Sequence, residues 1–523
     1  MKKIFITLMM SAVCGGVFAQ DTYQSATIAD NDLNGTARYV GMGGAMEALG
    51  ADISTIGSNP AGIGLFRKSQ AALSFGLQSS VGNNADMLDA SGTKMSFDQI
   101  GAIISVKMNY DSYLTFGFNY HKSKNFNQLM DAANSLNLAS QNKLSFIKDE
   151  LGVFGEYNYS QVDYLYDYAL NGIVDKGEMK EHFYDYYNAD GFVKQQVQEG
   201  YIGDYDFNIS GNIQNRLYLG LTVGIKDVNY SSSSLYSESL LAVDDKTHLG
   251  TVDLLDSRII SGSGVNIKFG AIVRPIETSA FRVGAYVHTP TWYSLTTSNH
   301  TILYNNLPNE EPEVYGNYDS VDNSESLKFR LNTPWLFGLS VGHTIGQTVA
   351  LGATYEYSDY DNLDNRVIDG EYYDYYYDTY HETSSSDYKM NKNTKKSLNG
   401  VHTVKLGAEM KVTPELALRV GYNYVSPKYS TEGFLDGTIE SQGTYYASAT
   451  DYTNWKATNR VTAGVGYAKG NFFADIAYKY SQTDGEYFPF MSYYSDDELN
   501  NVCDMTNVSD KRHQVLVTLG YKF

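Results

Sequence analysis

Gln514-Val515-Leu516-Val517-Thr518-Leu519-Gly520-Tyr521-Lys522-Phe523 decides the architecture. Val515, Val517, Leu519, Tyr521 and Phe523 share one face of an extended chain, and Gln514, Thr518, Gly520 and Lys522 share the other. The apolar face holds aliphatic side chains in its middle and aromatic rings near its end. Two other stretches repeat the design. Leu217, Leu219, Leu221, Val223 and Ile225 alternate with Arg216, Tyr218, Gly220, Thr222 and Gly224. Leu416, Leu418, Val420, Tyr422 and Tyr424 alternate with Ala417, Arg419, Gly421 and Asn423. A soluble sandwich alternates too, but has no need of so regular an aromatic border. Tyrosine at the rim of an apolar band fits a bilayer interface, where ring and hydroxyl are both satisfied.

The same period recurs along the chain. It predicts strands at 69–79, 96–109, 112–122, 203–214, 215–228, 258–273, 279–293, 327–343, 347–358, 400–412, 415–426, 458–469, 471–482 and 511–523. Six of the connections are short: Tyr110-Asp111, the link from Ile213 to Arg216, Arg274 to Thr278, Thr344 to Gly346, Thr413-Pro414, and Gly470. Seven are long: 80–95, 123–202, 229–257, 294–326, 359–399, 427–457 and 483–510. Strict long–short alternation over an even number of strands is the pattern of an outer-membrane barrel, with short periplasmic turns and long surface loops. In lipid no water satisfies backbone N–H and C=O groups, so such a sheet must close on itself. The expected fold class is all-β, a 14-stranded antiparallel transmembrane β-barrel over residues 69–523.

Other features agree with an exported membrane chain. Lys2 and Lys3 precede an apolar run from Ile4 to Val17, and Val17-Phe18-Ala19 supplies the small residues of a cleavage site, so 1–19 reads as a signal peptide. Cys14 is poorly placed for lipoprotein processing because Val13 is bulky, and cleavage leaves Cys503 alone, with no intramolecular disulfide. The chain has 46 tyrosines and 47 glycines in 523 residues, and a mean hydropathy of -0.34. Past the signal no run of eighteen apolar residues occurs, so helical spans are excluded. A net charge of -21 argues against nucleic acid. Much of it lies from Asp359 to Asp387 among the tyrosines of Tyr372 to Tyr380, as a solvated surface loop would place it.

Residues 20–68 do not alternate. Gly41 to Asp52 is rich in small residues, and Asn59-Pro60-Ala61-Gly62 reads as a turn, since proline fixes its own φ and bars the preceding residue from the α region. With no preceding strand and no P-loop lysine, nucleotide binding is rejected. Gly41-Met42-Gly43-Gly44-Ala45, Asp52-Ile53-Ser54-Thr55 and Asn59-Pro60-Ala61-Gly62 resemble the hatch of the FadL-type family of outer-membrane transporters of long-chain fatty acids and other hydrophobic compounds. The resemblance implies that 20–68 folds inside the barrel as a plug. Gly43 and Gly44 would belong to it, with Asn59, Pro60, Ala61 and Gly62 as its turn, beside a kink in the third strand for which Gly117 and Asn119 are candidates.

Catalytic and metal motifs are weak. The nine histidines are scattered without zinc spacing, and the acidic clusters at 359–387 and Asp496-Asp497-Glu498 match no EF-hand, so no metal or cofactor is expected. No Gly-x-Ser-x-Gly elbow occurs, and the inward pair Arg282 and His288 reads as structural, so no enzyme is expected. A haem or aromatic-compound receptor is a third reading, but the many tyrosines single out no axial ligand. An amphiphilic ligand's headgroup would want Arg216, Arg419 or Lys405 on inner faces. Leu129, Met130, Leu136, Leu138, Phe146 and Ile147 suggest amphipathic helices in the first long loop. The expected function is passive transport of a hydrophobic small molecule, such as a long-chain fatty acid, by a monomer among outer-membrane lipids. The alternative is a shuttle that docks a secreted protein on its acidic, Tyr-rich loops.

Overall fold

The computed structural model describes residues 21–523 apart from 84, 89, 156, 172, 176–179, 183–185, 243, 308–319, 497 and 498. The signal expected over 1–19, and Asp497 and Glu498 of one acidic cluster, lie outside the described residues.

Fourteen antiparallel strands form one closed sheet. In order around the wall they are Gln70–Val81, Thr93–Asn109, Ser112–Asn125, Ala189–Ile213, Leu217–Leu241, His248–Val273, a two-part strand, a second two-part strand, Val349–Asp359, Gly400–Lys411, Leu416–Val425, Tyr452–Lys469, Phe472–Phe488 and Thr506–Lys522. The two-part strands are Arg282–His288 with Trp292–Asn305, and Ser320–Asn332 with Leu336–Ile345. Closure runs from Gln70 opposite Lys522 to Val81 opposite Lys511 without a register shift. The strand count and the short–long alternation agree with the sequence reading.

Side-chain alternation sorts the two faces. Ile100, Phe116, Phe118, Phe207, Leu339, Val461 and Ile476 point outward and stay exposed, although apolar. Thr115, Asn119, Asp206, Thr222, Lys268, Arg419 and Asp475 point inward and are buried. Closed pairing with an apolar exterior is what a bilayer demands. The chain is an outer-membrane barrel.

Short turns gather at one end. Gln214 and Asn215 both have φ of 53°, the left-handed pair at the centre of the tight three-residue turn that joins Ile213 to Leu217. At the long-loop end the structure departs from expectation. Ala189–Ile213, Leu217–Leu241 and His248–Val273 run 25, 25 and 26 residues, about twice what spans a bilayer. Stretches expected as loops, such as Ser231 to Ser234, are strand. Wet on one side and lined by polar residues on the other, they lack the apolar face that marks a strand in sequence.

These extensions wall a surface cap. Helix Gln141–Glu150 carries Phe146 and Ile147, as expected, and Glu238 closes its N-terminus by accepting from Ser140 Oγ at 3.0 Å and Gln141 N at 2.8 Å. Leu129 and Met130 were expected on a helix but lie in strand Gln128–Ser135, paired along Ala189–Ile213. Met130, Leu144, Leu165, Tyr166, Tyr236, Tyr487, Phe490 and Cys503 make the apolar core of this cap.

Ile476 lies in the lipid belt, whereas Tyr376 stands 86% exposed at the tip of a surface hairpin. Ile476→Arg is expected to destabilise the folded barrel in a bilayer by roughly 2–4 kcal/mol. Tyr376→Arg is expected to change it by less than about 0.5 kcal/mol. Urea unfolding in liposomes measures both.

Candidate functional site: a plugged lumen

The segment before the first strand lies inside the cylinder. Helix α1 (Thr22–Ile28) is capped by Asp21 and sits at the long-loop end, where Tyr23 stacks on Tyr429 with ring centroids 5.1 Å apart. The Tyr23 hydroxyl donates to Asn454 Oδ1 at 2.8 Å. Tyr23, Ala26, Ile28 and Ala29 share an apolar cluster with Phe126, Tyr230, Tyr293, Phe329 and Tyr452 of the walls. The chain then descends through Asp30 to Asn34 into helix α2 (Ala37–Gly41), capped by Thr36. Two 3-10 turns follow, Ile53–Ile56 and Pro60–Leu65, before the first strand begins at Gln70.

Small residues decide where this segment seats, because backbones must meet closely. Gly342, Gly352, Gly407 and Gly421 stand opposite one another on four adjacent strands. A Cβ on Gly352 would lie 1.9 Å from Ala45 O, one on Gly407 2.3 Å from Met42 O, and one on Gly421 2.1 Å from Gly43 N. The missing side chains are a groove in the wall, and the backbone of residues 42–49 lies in it. Gly43 has φ of +62° and its own absent Cβ would meet Tyr422 N at 2.8 Å, so it needs both freedoms of glycine. Gly44 follows with φ of +81°.

A second seat receives the Asn59-Pro60-Ala61-Gly62 turn. Asn59 Oδ1 accepts from Ala61 N at 3.2 Å, and its Nδ2 donates to Glu47 O at 3.0 Å. Ser210 Oγ donates to Pro60 O at 2.8 Å. Gly220, Gly270 and Gly284 of the wall leave room for this turn, and Gly62 for Thr55. His288 Nε2 donates to Ser58 O at 2.6 Å and Arg282 Nη1 to Leu49 O at 2.8 Å.

Ion pairs complete the attachment. Glu47, fully buried, accepts from Lys405 Nζ at 3.0 Å, the Tyr39 hydroxyl at 2.9 Å and Thr354 Oγ1 at 2.7 Å. Arg38 meets Glu409 at 2.9 Å, and Glu409 also meets Arg419 at 2.6 Å, itself on Asp475. Higher up, Asp30 pairs with Lys124 at 2.8 Å and Lys428 at 2.9 Å, while Asp32 pairs with Arg460 at 3.2 Å. Burial pushes the Asp30 and Asp32 carboxyls up, but Lys124, Lys428 and Arg460 overcome it and hold both far below the usual carboxylate range. Removing one partner of such a buried pair strands the other, at about 3–5 kcal/mol.

Polar cavities remain around the plug. One of about 180 Å³ is lined by His121, Asp204, Lys226, Lys268, His288 and Glu356, among others. A second of about 130 Å³ lies higher, around Asp30, Asp32, Lys124, Lys428, Arg460 and Lys479. His121, Asp204 and Asp206 bring ligand atoms within 4.8 Å of one another. Lys226 already holds Asp204 at 2.7 Å and Lys268 holds Asp206 at 2.8 Å, so the cluster is a balanced ion network rather than a seat for a cation. The first cavity reaches the wall at Thr289, Thr291, Thr333 and Pro334. Here the two-part strands are interrupted side by side, because Pro290 and Pro334 lack the N–H a ladder needs. Thr291 N and Thr333 Oγ1, 2.8 Å apart, partly bridge the break.

The sequence candidates therefore fall into groups. Gly43, Gly44, Asn59, Pro60 and Ala61 lie at plug–wall contacts, and Gly62 lies within the plug against Thr55 and Gly50. Lys405 and Arg419 face inward but are engaged by carboxylates. Arg216 stands exposed at a short turn, 3.9 Å from Glu277 and away from the lumen cavities. At Gly117 and Asn119 the third strand keeps register on both flanks, its shifts falling at Lys122/Lys124 and Lys107/Asn109. Ile56 of the plug packs over Gly117, and Gln99 Nε2 donates to Asn119 Oδ1 at 2.8 Å. Sequence reasoning missed Asp30, Asp32, Lys124, Arg460 and Lys479. A signal existed for Arg460 and Lys479, which occupy inward positions of strands whose other face is apolar.

No family model matches the chain, and no curated protein matches it. Among solved structures, a Pseudomonas aeruginosa FadL homologue superposes with a TM-score of 0.50 and 12% identity, covering 97% of this chain and 100% of that one. The Pseudomonas putida toluene transporter TodX gives 0.47 and 12%, covering 94% and 99%. The Ralstonia pickettii toluene transporter TbuX gives 0.46 and 11%, covering 94% and 99%. At such identity the first of these likenesses establishes a shared fold. The chain is built as a FadL-type barrel.

Gly352→Ala combined with Gly421→Ala is expected to lift residues 42–49 from their groove, as overpacking by about 1–3 kcal/mol would. Limited proteolysis should then cut within 41–50 while the barrel stays folded. Because Asp30 and Asp32 have lowered pKa values, their pairing is complete above the ordinary carboxylate range, about pH 4, and is lost only as pH falls below it. Hydrogen exchange of residues 22–34 is expected to stay flat from pH 8 to 5, after correction for intrinsic rates, and to quicken in stronger acid.

Proposed function

We propose that the chain is a passive outer-membrane transporter of hydrophobic small molecules, long-chain fatty acids among them, and that it catalyses no reaction. One observation carries the reading: the lumen is closed by the chain's own residues 21–66, held only by ion pairs, hydrogen bonds and van der Waals contact. Each of these can be exchanged without breaking a covalent bond, so the plug can shift and return. The ligand enters from the long-loop end, displaces α1 from its aromatic surroundings, and leaves once the lower plug has moved. An acyl chain gains about 0.8 kcal/mol per buried CH₂ there. The polar cavities below favour an amphiphile, with a polar head, over a bare hydrocarbon.

We place release at the paired interruptions around Pro290 and Pro334, where a lumen cavity meets the wall. The register at Gly117 and Asn119 is unbroken, which favours this route over the third strand. One chain supplies the lumen, plug and cavities, which suits action as a monomer.

A second reading has an observation of its own. Hairpin Asp364–Asp374 and Thr379–Ser386 pairs with the wall at its base, through Asp364, Asn365 and Arg366, is held there by Lys328 and Arg330 on Glu382, and carries Tyr375 and Tyr376 at 86% exposure. So many bare rings on a projecting finger suit a secreted protein partner, since tyrosine supplies much contact area.

Fatty-acid uptake by cells producing the chain is the test. Pro290→Ala with Pro334→Ala is expected to reduce uptake several-fold while ligand binding to the purified protein persists. No uptake above empty cells, together with no lipid co-purifying by mass spectrometry, overturns transport. A secreted protein that co-purifies, and is lost on trimming 367–384, supports the second reading.

A further inference from the structure

The protein carries a net charge of -21, yet the upper lumen chamber of about 130 Å³ is lined by six cations against three carboxylates. Two of those cations have acidic partners on the wall side: Arg512 meets Asp510 at 2.6 Å and Lys456 meets Glu486 at 2.8 Å. The other four are Lys124, Lys428, Arg460 and Lys479. Among the described residues, none of them has a wall carboxylate within ion-pair distance. Their acidic partners come from the plug. Asp30 holds Lys124 and Lys428, and Asp32 holds Arg460 and lies 3.9 Å from Lys124. Lys479, nine-tenths buried, donates to Leu33 O at 2.7 Å, and Lys428 also donates to Ala26 O at 3.3 Å.

The wall has therefore gathered four like charges in a confined chamber and left their neutralisation to a detachable segment. If that segment moves away alone, four ammonium and guanidinium groups lose their partners in a poorly solvated space, with only Asp510, already held by Arg512, and the more distant Asp98 left to offset them, which is costly. If an anion takes its place, the cost disappears. The exchange is cheapest for a ligand that presents two negative charges over a short span, as Asp30 and Asp32 do.

We propose that Asp30 and Asp32 are a tethered pseudo-ligand, and that the chamber's free ligand is an amphiphile with a dianionic head, such as a phosphate monoester, whose arrival releases the upper plug. The tail of that ligand takes the aromatic surroundings vacated by Tyr23 and Ile28. The proposal rests on the transport reading for its purpose, but its site and its competition stand on their own.

The test uses the purified full-length barrel in a non-ionic detergent, with decyl phosphate as probe and decanol as its uncharged control. Isothermal titration is expected to detect decyl phosphate and not decanol. Removing the internal competitor raises the fraction of chamber free to bind. D30N/D32N is accordingly expected to bind decyl phosphate about tenfold more tightly, and Lys124→Gln with Arg460→Gln to lose it. Hydrogen exchange of residues 22–34 should quicken on adding decyl phosphate to the unmodified protein, with exchange in the wall strands unchanged as the control for folding. Equal binding of decyl phosphate and decanol overturns the proposal. So does a D30N/D32N chain whose plug loosens without any gain in affinity, which would make the two aspartates simple anchors. Fatty-acid uptake that fails while decyl phosphate binds and competes would remove the transport reading and leave this site intact.

Discussion

The ladder between Gln70–Val81 and Lys511–Lys522 is the constraint on which everything else depends. A sheet of this size in lipid has no tolerable edge, because each unpaired N–H or C=O would lie in a medium that cannot hydrogen-bond it. Joining the first strand to the last removes both edges at once. It also turns one face of every strand into the lining of a single enclosed space. From that point the inward residues no longer face bulk solvent, and any charge among them must find a partner within the cylinder. The lumen is therefore a matching problem set by closure.

The chain answers it in two ways. Low in the barrel, partners are mixed: Glu47 of the plug and Glu356 of the wall share Lys405, while Glu409 and Asp475 of the wall hold Arg419 and Glu409 also holds the plug's own Arg38. High in the barrel, the wall supplies mostly positive groups and the plug supplies the negative ones. Backbone contact in the glycine groove fixes the lower part sterically, whereas charge and aromatic packing fix the upper part. These two kinds of attachment respond to different agents: steric seating is indifferent to salt or ligand charge, and ionic attachment is sensitive to both. The upper plug is thus the end that answers to what arrives from outside.

How much of this was legible in the sequence follows from the same physics. Strand number, turn positions and the long–short alternation could be read because lipid forces an apolar residue at every second position through the membrane. The extensions of Ala189–Ile213, Leu217–Leu241 and His248–Val273 could not, since beyond the bilayer nothing enforces that pattern. The turn at Asn59-Pro60 was visible because proline restricts its predecessor. Its seat against Gly220, Gly270 and Gly284 was not, because those glycines meet only through the register of three strands. Lys405 and Arg419 were assigned correctly to the inner face and wrongly left free for a headgroup, since periodicity gives a side chain's direction but not its neighbour. Arg216 was misplaced because one residue of turn separates an inward position from the rim. Asp30 and Asp32 carried no local signal at all; their meaning lies in residues up to 428 positions away.

The path of residues 21–66 bears on biogenesis. This stretch starts near the outer rim, beneath the cap, and reaches the first strand at the opposite mouth. Its widest parts, α1 and the groove-seated backbone, are held from nearly all sides. Once the terminal ladder has zipped, there is no seam through which they can be inserted sideways. Lateral entry is open to the stretch only while the sheet is still an open ribbon. On that route the strands close around a mandrel that the chain itself provides.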